Sequence, residues 1–494
     1  MSDVALLQGV RAALAHPQGH YIDGQAVTGN GDAFPVINPA TGQTLAEVRA
    51  ADGAQADAAM EAASAALAGW QAMPTLARGT LLLKLADALA AHREELAQLE
   101  SLCSGKTLML ARMLEIEQSV AFLRYFAGWA GKISGETLDV SLPSFNGEKY
   151  TAFTRRQPVG VVVGIIPWNF SIMIAIWKLA AALVCGCTVV LKPSEFTPLT
   201  LLRVAELATG CGIPPGVINV VNGDGKTLGP RLIAHPHCAK VSFTGSVVTG
   251  QAVSQAAMAG GKRVTLELGG KNAALFLEDM EVDAIVNGII EAGYLNQGQI
   301  CAAAECFYLP VGKMDPVLAA LRQRLEAMRI GSPLDEGTEM GPVANRPQYE
   351  KLLNLFAQAR QEGSEIICGG YALDRDGYYI APTAIRVTDP QATLMREETF
   401  GPVGTFIAYE NDADALALIN ASPSGLAASV WTHDMAKALR YSEQLEAGMV
   451  WINMHTFLDP AVPFGGMKDS GIGREFGSAF IEDYTNLKSV MVRY

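Results

Sequence analysis

Residues 159–167 read VGVVVGIIP, a run without a single polar side chain. A strand with one wet face alternates apolar and polar residues, so this run predicts a parallel strand covered on both faces. Outward from it, elements alternate. A helix is expected over 172–184, a strand over 187–193 (CTVVLKP) and a helix over 199–211. That helix is closed by Gly212 and the Pro214-Pro215 pair, a sound helix stop. Then follow strand 216–223, helix 226–234, strand 239–243, helix 247–258 and strand 263–267. Repeated βαβ units of this size make a doubly wound parallel sheet.

After Leu268-Gly269-Gly270 a second α/β region begins. Strands are expected at 272–276, 306–311, 364–367, 403–408, 428–431 and 448–452, with helices at 281–295, 316–329 and 347–362. Residues 464–473 (FGGMKDSGIG) read as a glycine-rich loop. Toward the N-terminus, a short helix is expected in 1–18, hairpins in 21–47, and alanine-rich helices over 54–68, 74–92 and 94–103, then one long helix over 107–134. Residues 144–158 and 487–494 read as extended and partly alternating, as two strands of a small ribbon would.

Composition narrows the function. With 494 residues, half of them hydrophobic, the chain is long enough for two or three domains. A formal net charge of −13 argues against nucleic acid and against an anionic membrane surface. Residues 171–191 are nearly all apolar, but Lys178 and Gly186 interrupt them, which fits a buried helix feeding a buried strand and not a membrane span. The eight cysteines are scattered, with no CxxC pair, and the histidines show no HExxH pattern. These features, with no secretory signal in the first residues, predict a reduced cytoplasmic protein without a metal.

Chemistry concentrates at a few positions. Cys301 ends NQGQIC (296–301), on a loop with Gly298, where a thiol is a candidate nucleophile toward a carbonyl carbon. Cys185 and Cys187 sit in an apolar helix-to-strand run and Cys306 leads a strand, so these read as packing residues. Glu267, in TLELGG, is a carboxyl in apolar surroundings, which raises a pKa toward that of a general base for water. Asn169, in IPWNF, follows a strand end and offers an amide to an oxyanion. Gly245–Gly250 lies between a strand and a helix, where free N–H groups suit a pyrophosphate, although GxGxxG is absent. Lys192 and Glu195 lie just past a strand's carboxyl end, where α/β sheets bind ligands. On spacing alone, Lys192 and Glu195 equally fit a solvated loop, Asn169 a turn, and Glu267 a strand end turned to solvent.

Seven segments together resemble the aldehyde dehydrogenase superfamily: IPWNF (166–170), KPSE (192–195), FTGS (243–246), LELGGK (266–271), NQGQIC (296–301), EETFGPV (397–403) and PFGGMKDSGIGRE (463–475). They occur in the family's order over about residues 20–494. The resemblance implies that Cys301 is the nucleophile, Asn169 with the Cys301 N–H the oxyanion hole, and Glu267 the base, with Lys178 and Glu475 nearby, the latter in proton relay. It implies NAD as cofactor, with NADP weaker because the Glu195 carboxylate repels a 2′-phosphate. Its site would take in Ile166, Pro167, Trp168, Asn169, Lys192, Ser194, Glu195, Gly225, Gly229, Phe243, Thr244, Gly245, Ser246, Leu268, Gly269, Glu398 and Phe400. The implied reaction is attack of the Cys301 thiolate on an aldehyde, hydride loss to the nicotinamide, and hydrolysis of the thioester by water activated by Glu267.

The implied architecture is an NAD-binding domain (1–141 and 159–267), a catalytic domain (268–473) and oligomerisation segments (142–158 and 474–494) of a homo-dimer or tetramer. By family position the substrate tunnel would be lined by Phe170, Ile174, Trp177, Leu295, Ile300, Ala302, Phe457 and Phe464, all apolar. An aromatic tunnel without arginine suits a small apolar aldehyde, and the likeness is greatest to bacterial phenylacetaldehyde dehydrogenases of styrene and phenylethylamine catabolism. Broad-range aliphatic aldehydes and betaine aldehyde are the alternatives, the latter because aromatic rings cage a quaternary ammonium and Asp459 would lie near the tunnel mouth. A non-catalytic binding protein on this fold would be expected to lack Cys301 or Glu267, and both are present. Ser171 stands where relatives often have proline.

Overall fold

The structure, a computed structural model, describes residues 4–15 and 17–494. The expected strand at 159–167 forms as Val161–Ile165, and it is the middle of an eight-stranded sheet. Five strands of that sheet are mutually parallel, in the spatial order Ile218–Val220, Thr188–Lys192, Val161–Ile165, Cys238–Gly245, Arg263–Leu268. Numbered along the chain they stand 3-2-1-4-5, so the order reverses between Val161–Ile165 and Cys238–Gly245. At such a reversal the crossover helices diverge to opposite faces and leave a crevice at the strands' carboxyl ends. The residues after those two ends are Ile166–Asn169 and Ser246.

The helix Ser171–Cys185 is buried along its whole length, which accounts for its membrane-like composition. No described helix is long and apolar enough to cross a membrane. It stops at Gly186, whose φ of +92° favours glycine, and the chain turns directly into Thr188–Lys192.

A second, seven-stranded sheet runs in the order Glu365–Cys368, Thr383–Arg386, Val403–Tyr409, Ala304–Pro310, Asn272–Phe276, Ala427–Trp431, Met449–Ile452. All its pairings are parallel except the first. Thr383–Arg386 was not expected from the sequence, because four residues next to Pro382 carry too short a pattern. The ribbon forms as Tyr150–Pro158 paired antiparallel with Thr485–Arg493, joined by the short strand Thr137–Leu138. The glycine-rich loop contributes Gly471–Ile472 to the edge of the first sheet, beside Leu266 and Glu267. The two sheets are thus stitched together at the carboxyl end of Arg263–Leu268.

Three helices differ from expectation. The stretch 107–134 is not one α-helix: Leu108–Leu110 is α, Ala111–Glu117 is π, and Gln118–Ala127 is α, ending at Gly128. A single π segment widens the helix locally and turns side chains that a 3.6-residue period would not place together. The helix expected at 316–329 runs Val311–Glu326 and carries Pro316 inside it. The first helix covers Gln8–Ala15, with part of the expected span outside the described residues.

Helix Val247–Ala259 lies against the sheet with Gly250 at the contact, where a Cβ would stand 2.3 Å from Leu268 Cδ2. Leu268 is buried, and the clash would push it toward the cavity beyond the strand end. Gly250→Val is expected to destabilise the protein by about 1–3 kcal/mol through overpacking, read as a lower urea midpoint.

Candidate active site

The crevice at the strand reversal is a cavity of about 170 Å³. One wall is the first sheet's carboxyl edge: Pro167, Trp168 and Asn169 after one strand, Thr244 to Ser246 after its neighbour, and Glu267 to Gly269 after the third. The second region supplies Cys301, Glu398 and Phe400 from across the gap. Residues from six separated segments of sequence therefore meet in one cavity, and all but Gln348 and Lys351 were expected there.

Ser246 caps the helix Val247–Ala259, its side chain accepting from Thr249 N–H. The remaining first-turn N–H groups are free to bind an anion. Thr244 Oγ1, which lines the same wall, is buried without a hydrogen-bond partner. Beyond the cavity, Lys192 Nζ donates to Glu195 Oε1 at 2.9 Å, and Gly225 N–H donates to the same oxygen at 2.5 Å. Gly229, one turn into the helix Gly225–Ala234, has open space where a Cβ would be. Ser194 Oγ accepts from Phe196 N–H, and Ile166 and Phe243 are buried beneath the crevice floor. An unpartnered hydroxyl, a helix N-terminus and a carboxylate at one sheet edge fit the phosphate and ribose parts of a dinucleotide.

Glu267 is 3% exposed, and neither carboxyl oxygen has a hydrogen-bond partner. Burial, and then the nearby Glu475 charge, push its pKa well above the ordinary carboxylate range. Glu475 is tied to Lys178 at 2.6 Å, and Lys178 also donates to Ser242 Oγ at 3.1 Å. Cys301 is partly accessible at the cavity, and burial together with the Glu267 and Glu398 charges pushes its thiol up to about 12. No cation is placed to offset those carboxylates, so the attacking thiolate has to form in a setting that disfavours it. Asn169 Nδ2 donates to Gln299 O at 3.0 Å, which ties the candidate oxyanion amide to the loop that carries Cys301.

The loop before Cys301 is itself bent. Asn296 and Gln297 are buried with positive φ, and Gly298 has a φ of +66° with Gly401 O only 2.0 Å from where its Cβ would be. Such backbone is held only where its surroundings over-determine it. Phe400 is similar, with a φ of +53°. Its N–H and that of Thr399 donate to Glu305, at 2.7 and 2.8 Å, and both carbonyls accept from Gln348 Nε2. Glu305 is in turn paired with Lys271 at 2.5 Å. Phe400 meets Trp168 edge-on, ring centroids 5.3 Å apart. Glu398 accepts from Gly270 N–H at 3.1 Å, and burial raises its pKa to about 7. Glu305 and Gln348 were not singled out from sequence, since one lies inside a strand and the other inside a helix; FGPV beside a carboxylate was the only pointer.

The expected tunnel residues are not all in one place. Phe170, Ile174, Trp177, Ala302 and Phe464 are buried, whereas Leu295 and Ile300 are half-buried. Trp177 and Phe464 join Phe122 and Phe476 in one aromatic cluster, with Trp177 4.7 Å from Phe476. Phe457 stands apart at 54% exposure. None of the eight lines the cavity that holds Cys301 and Glu267.

A further group was missed. Lys106 is wholly buried and donates to Asn169 O at 2.8 Å, and it is paired with Glu115 of the π segment. Glu115 also accepts from Met173 N–H at 2.9 Å, at the start of the buried helix. Glu100, 3.6 Å from Lys106, is pushed by burial to about 8 and so stays neutral. The π turn explains the arrangement: it brings Glu115 round to face Lys106 and the Asn169 segment together.

The chain matches the model of the Aldehyde dehydrogenase family over residues 26–490. It is 43% identical to a phenylacetaldehyde dehydrogenase of Pseudomonas fluorescens, over 100% of this chain and 98% of that protein. It is 40% identical to a betaine aldehyde dehydrogenase of Cereibacter sphaeroides, over 96% of each. A solved NAD+ complex of an aldehyde dehydrogenase from Bacillus cereus superposes with a TM-score of 0.96, at 39% identity and 99% coverage of both chains.

Removing the Lys106 ammonium strands a buried carboxylate. Lys106→Met is expected to cost about 3–5 kcal/mol, measured by chemical denaturation followed through tryptophan fluorescence.

Proposed function

The chain belongs to the aldehyde dehydrogenase family, and from that premise we propose that it oxidises phenylacetaldehyde to phenylacetate with NAD, through a covalent intermediate on Cys301. The observation that carries this reading is Glu267: a buried carboxyl with both oxygens unpartnered, opening on the same cavity as Cys301 and Asn169. A structural carboxylate in that position would be paired, whereas a base for water needs its oxygens free.

The steps follow from these groups. Cys301 attacks the aldehyde carbon as the thiolate, its proton passing to water in the open cavity, which leaves Glu267 free for the hydrolytic step. The tetrahedral oxyanion is held by the Asn169 amide and the Cys301 N–H, a kind of contact worth about 2.7–4 kcal/mol. NAD, when bound, would supply the hydride acceptor, and Trp168, Lys192, Glu195, the Gly245-Ser246 turn, Glu398 and Phe400 would hold it. Once the hydride has left, the carbon is a thioester of Cys301. Glu267 takes a proton from water, which releases the acid, and Glu475 with Lys178 carries that proton onward. Two lower barriers replace one high one. The Glu195 carboxylate favours NAD over NADP by repelling a 2′-phosphate.

The aromatic content around the expected tunnel, Phe170, Trp177 and Phe464, supports an aryl-substituted aldehyde. The likeness to the Pseudomonas fluorescens enzyme supports the same choice. The ribbon of Tyr150–Pro158 and Thr485–Arg493 leaves Leu487, Met491 and Tyr494 exposed, which supports assembly of a cytoplasmic homo-dimer or tetramer through that edge. We keep the proposed division into NAD-binding (1–141, 159–267), catalytic (268–473) and oligomerisation (142–158, 474–494) parts, with Gly471–Ile472 reaching back into the first sheet and Thr137–Leu138 joining the ribbon.

Initial rates of NADH formation test the substrate. Phenylacetaldehyde is expected to exceed hexanal and betaine aldehyde in kcat/KM by about tenfold, roughly 1.4 kcal/mol of transition-state preference. A hexanal rate equal to it would make the protein a general aldehyde oxidiser.

Glu267→Gln is expected to keep a first-turnover burst of NADH while steady turnover falls by on the order of 10²–10⁴. The wild-type kcat is expected to rise with pH from neutral into the alkaline range. Glu267 has a raised pKa, so its basic form grows as pH rises, and the Cys301 thiol ionises in the same direction. A stopped-flow pH series on both proteins checks the two expectations together.

A further inference from the structure

Three successive carbonyls at Cys301 are all taken by side chains from distant segments. Asn272 Nδ2 donates to Cys301 O at 2.7 Å and to Ala303 O at 2.9 Å. The carbonyl between them, Ala302 O, is 2.8 Å from His455 Nε2. A carbonyl oxygen only accepts, so Nε2 carries the ring proton. In the neutral ring Nδ1 is then the acceptor, and the Ser429 hydroxyl, 2.8 Å away, donates to it. Ser429 Oγ accepts in turn from Trp431 Nε1 at 2.8 Å. The donors therefore run one way: Trp431 to Ser429 to His455 to Ala302.

This chain is anchored where the fold is stiffest. Ser429 and Trp431 lie on Ala427–Trp431, an interior strand of the second sheet, and Trp431 stacks on Phe276 at 5.2 Å. His455 is 1% exposed, its ring lies 4.7 Å from Trp451, and its own N–H donates to Glu291 at 2.9 Å. Burial holds the ring neutral, lowering its pKa to about 4. His455 does not line the cavity, and no step of the reaction uses it.

We propose that His455, locked by Ser429 as the Nε2–H tautomer, is a positioning residue that aims the Cys301–Ala302 segment. It fixes the direction of both the thiol and the Cys301 N–H through the one carbonyl that Asn272 leaves free. The kinetic consequence rests on the aldehyde-oxidation reading; the tautomer and the aim of the thiol do not.

The test compares wild type with His455→Gln, His455→Leu and Ser429→Ala. Glutamine returns an N–H near the imidazole Nε2, whereas leucine fills the volume without a donor. Three readouts are taken: kcat and KM with phenylacetaldehyde, the rate of Cys301 alkylation by iodoacetamide, and the ¹H–¹⁵N ring spectrum assigned to His455 by its loss in the variants. The wild-type spectrum is expected to show the Nε2–H tautomer. A displacement of about 1 Å costs on the order of 10²-fold, so His455→Leu is expected to lower kcat by roughly 30-fold or more, with KM for NAD changed by less than about threefold. The alkylation rate is expected to fall with it, and His455→Gln to restore both to within about fivefold of wild type. Ser429→Ala is expected to give a mixed tautomer signal and a lower kcat, and it decides the matter if His455→Leu does not fold. An Nδ1–H tautomer in the wild type, or unchanged kcat and alkylation in folded His455→Leu or in Ser429→Ala, would overturn the proposal. Wild-type NADH formation tests the aldehyde reading separately, since alkylation and the ring spectrum require no aldehyde.

Discussion

A carboxyl kept dry and unpaired is the constraint around which this molecule is arranged. Burying Glu267 without a partner is unfavourable by itself, and an ionised carboxylate there would be more so. The fold tolerates it because burial shifts the group toward its neutral form and because the strand Arg263–Leu268 that carries it is held on both edges, by Cys238–Gly245 and by Gly471–Ile472. The same strand ends at Leu268 and Gly269, which line the cavity, so the floor and the proposed base are one element. The glycine-rich loop is close by: Gly465 has its missing Cβ 2.8 Å from Glu267 Oε1, so any side chain there would press on the Glu267 carboxyl.

Around that strand the site is built by gripping backbone. The Thr399-Phe400 segment has its N–H groups on Glu305 and its carbonyls on Gln348. The Asn169 carbonyl is on Lys106, and the Cys301 turn is on Asn272 and His455. Each grip consumes a buried polar group that would otherwise be costly, and each holds a loop in a conformation it would not adopt alone. The positive φ values at Asn296, Gln297 and Phe400 are where this shows. Rigidity at the cavity thus comes from polar side chains in the second rank and less from the apolar packing that stabilises the sheets.

Much of the fold was legible because its signals are local and strong. VGVVVGIIP could only be a buried strand, and the regular spacing of helix stops and apolar runs after it defined the βαβ order. Most cavity residues were legible as motifs at strand ends, which is where α/β sheets bind ligands. Lys106, Glu305, Gln348 and His455 were not, since each sits inside an ordinary helix, strand or loop pattern and acquires its role from a partner roughly fifty to one hundred and sixty residues from it in the chain. The π turn was invisible for a similar reason: Ala111–Glu117 reads as good α-helix, and the demand that Glu115 face both Lys106 and Met173 decides the wider turn.

By itself the sequence determined the alternation of strands and helices, the strand ends that carry Asn169, Glu267 and the Gly245-Ser246 turn, and the thiol at Cys301. These follow from side-chain period, glycine and proline placement, and chemical type, all of which act over a few residues. Only the tertiary structure decided that burial and nearby carboxylates push the Cys301 thiol up, that Trp177 and Phe464 pack with Phe122 and Phe476, and that Phe457 is exposed. Burial and the summed field of neighbouring charges set the first, and the order in which distant helices and loops close over one another set the others; neither is a property of any stretch of chain taken alone.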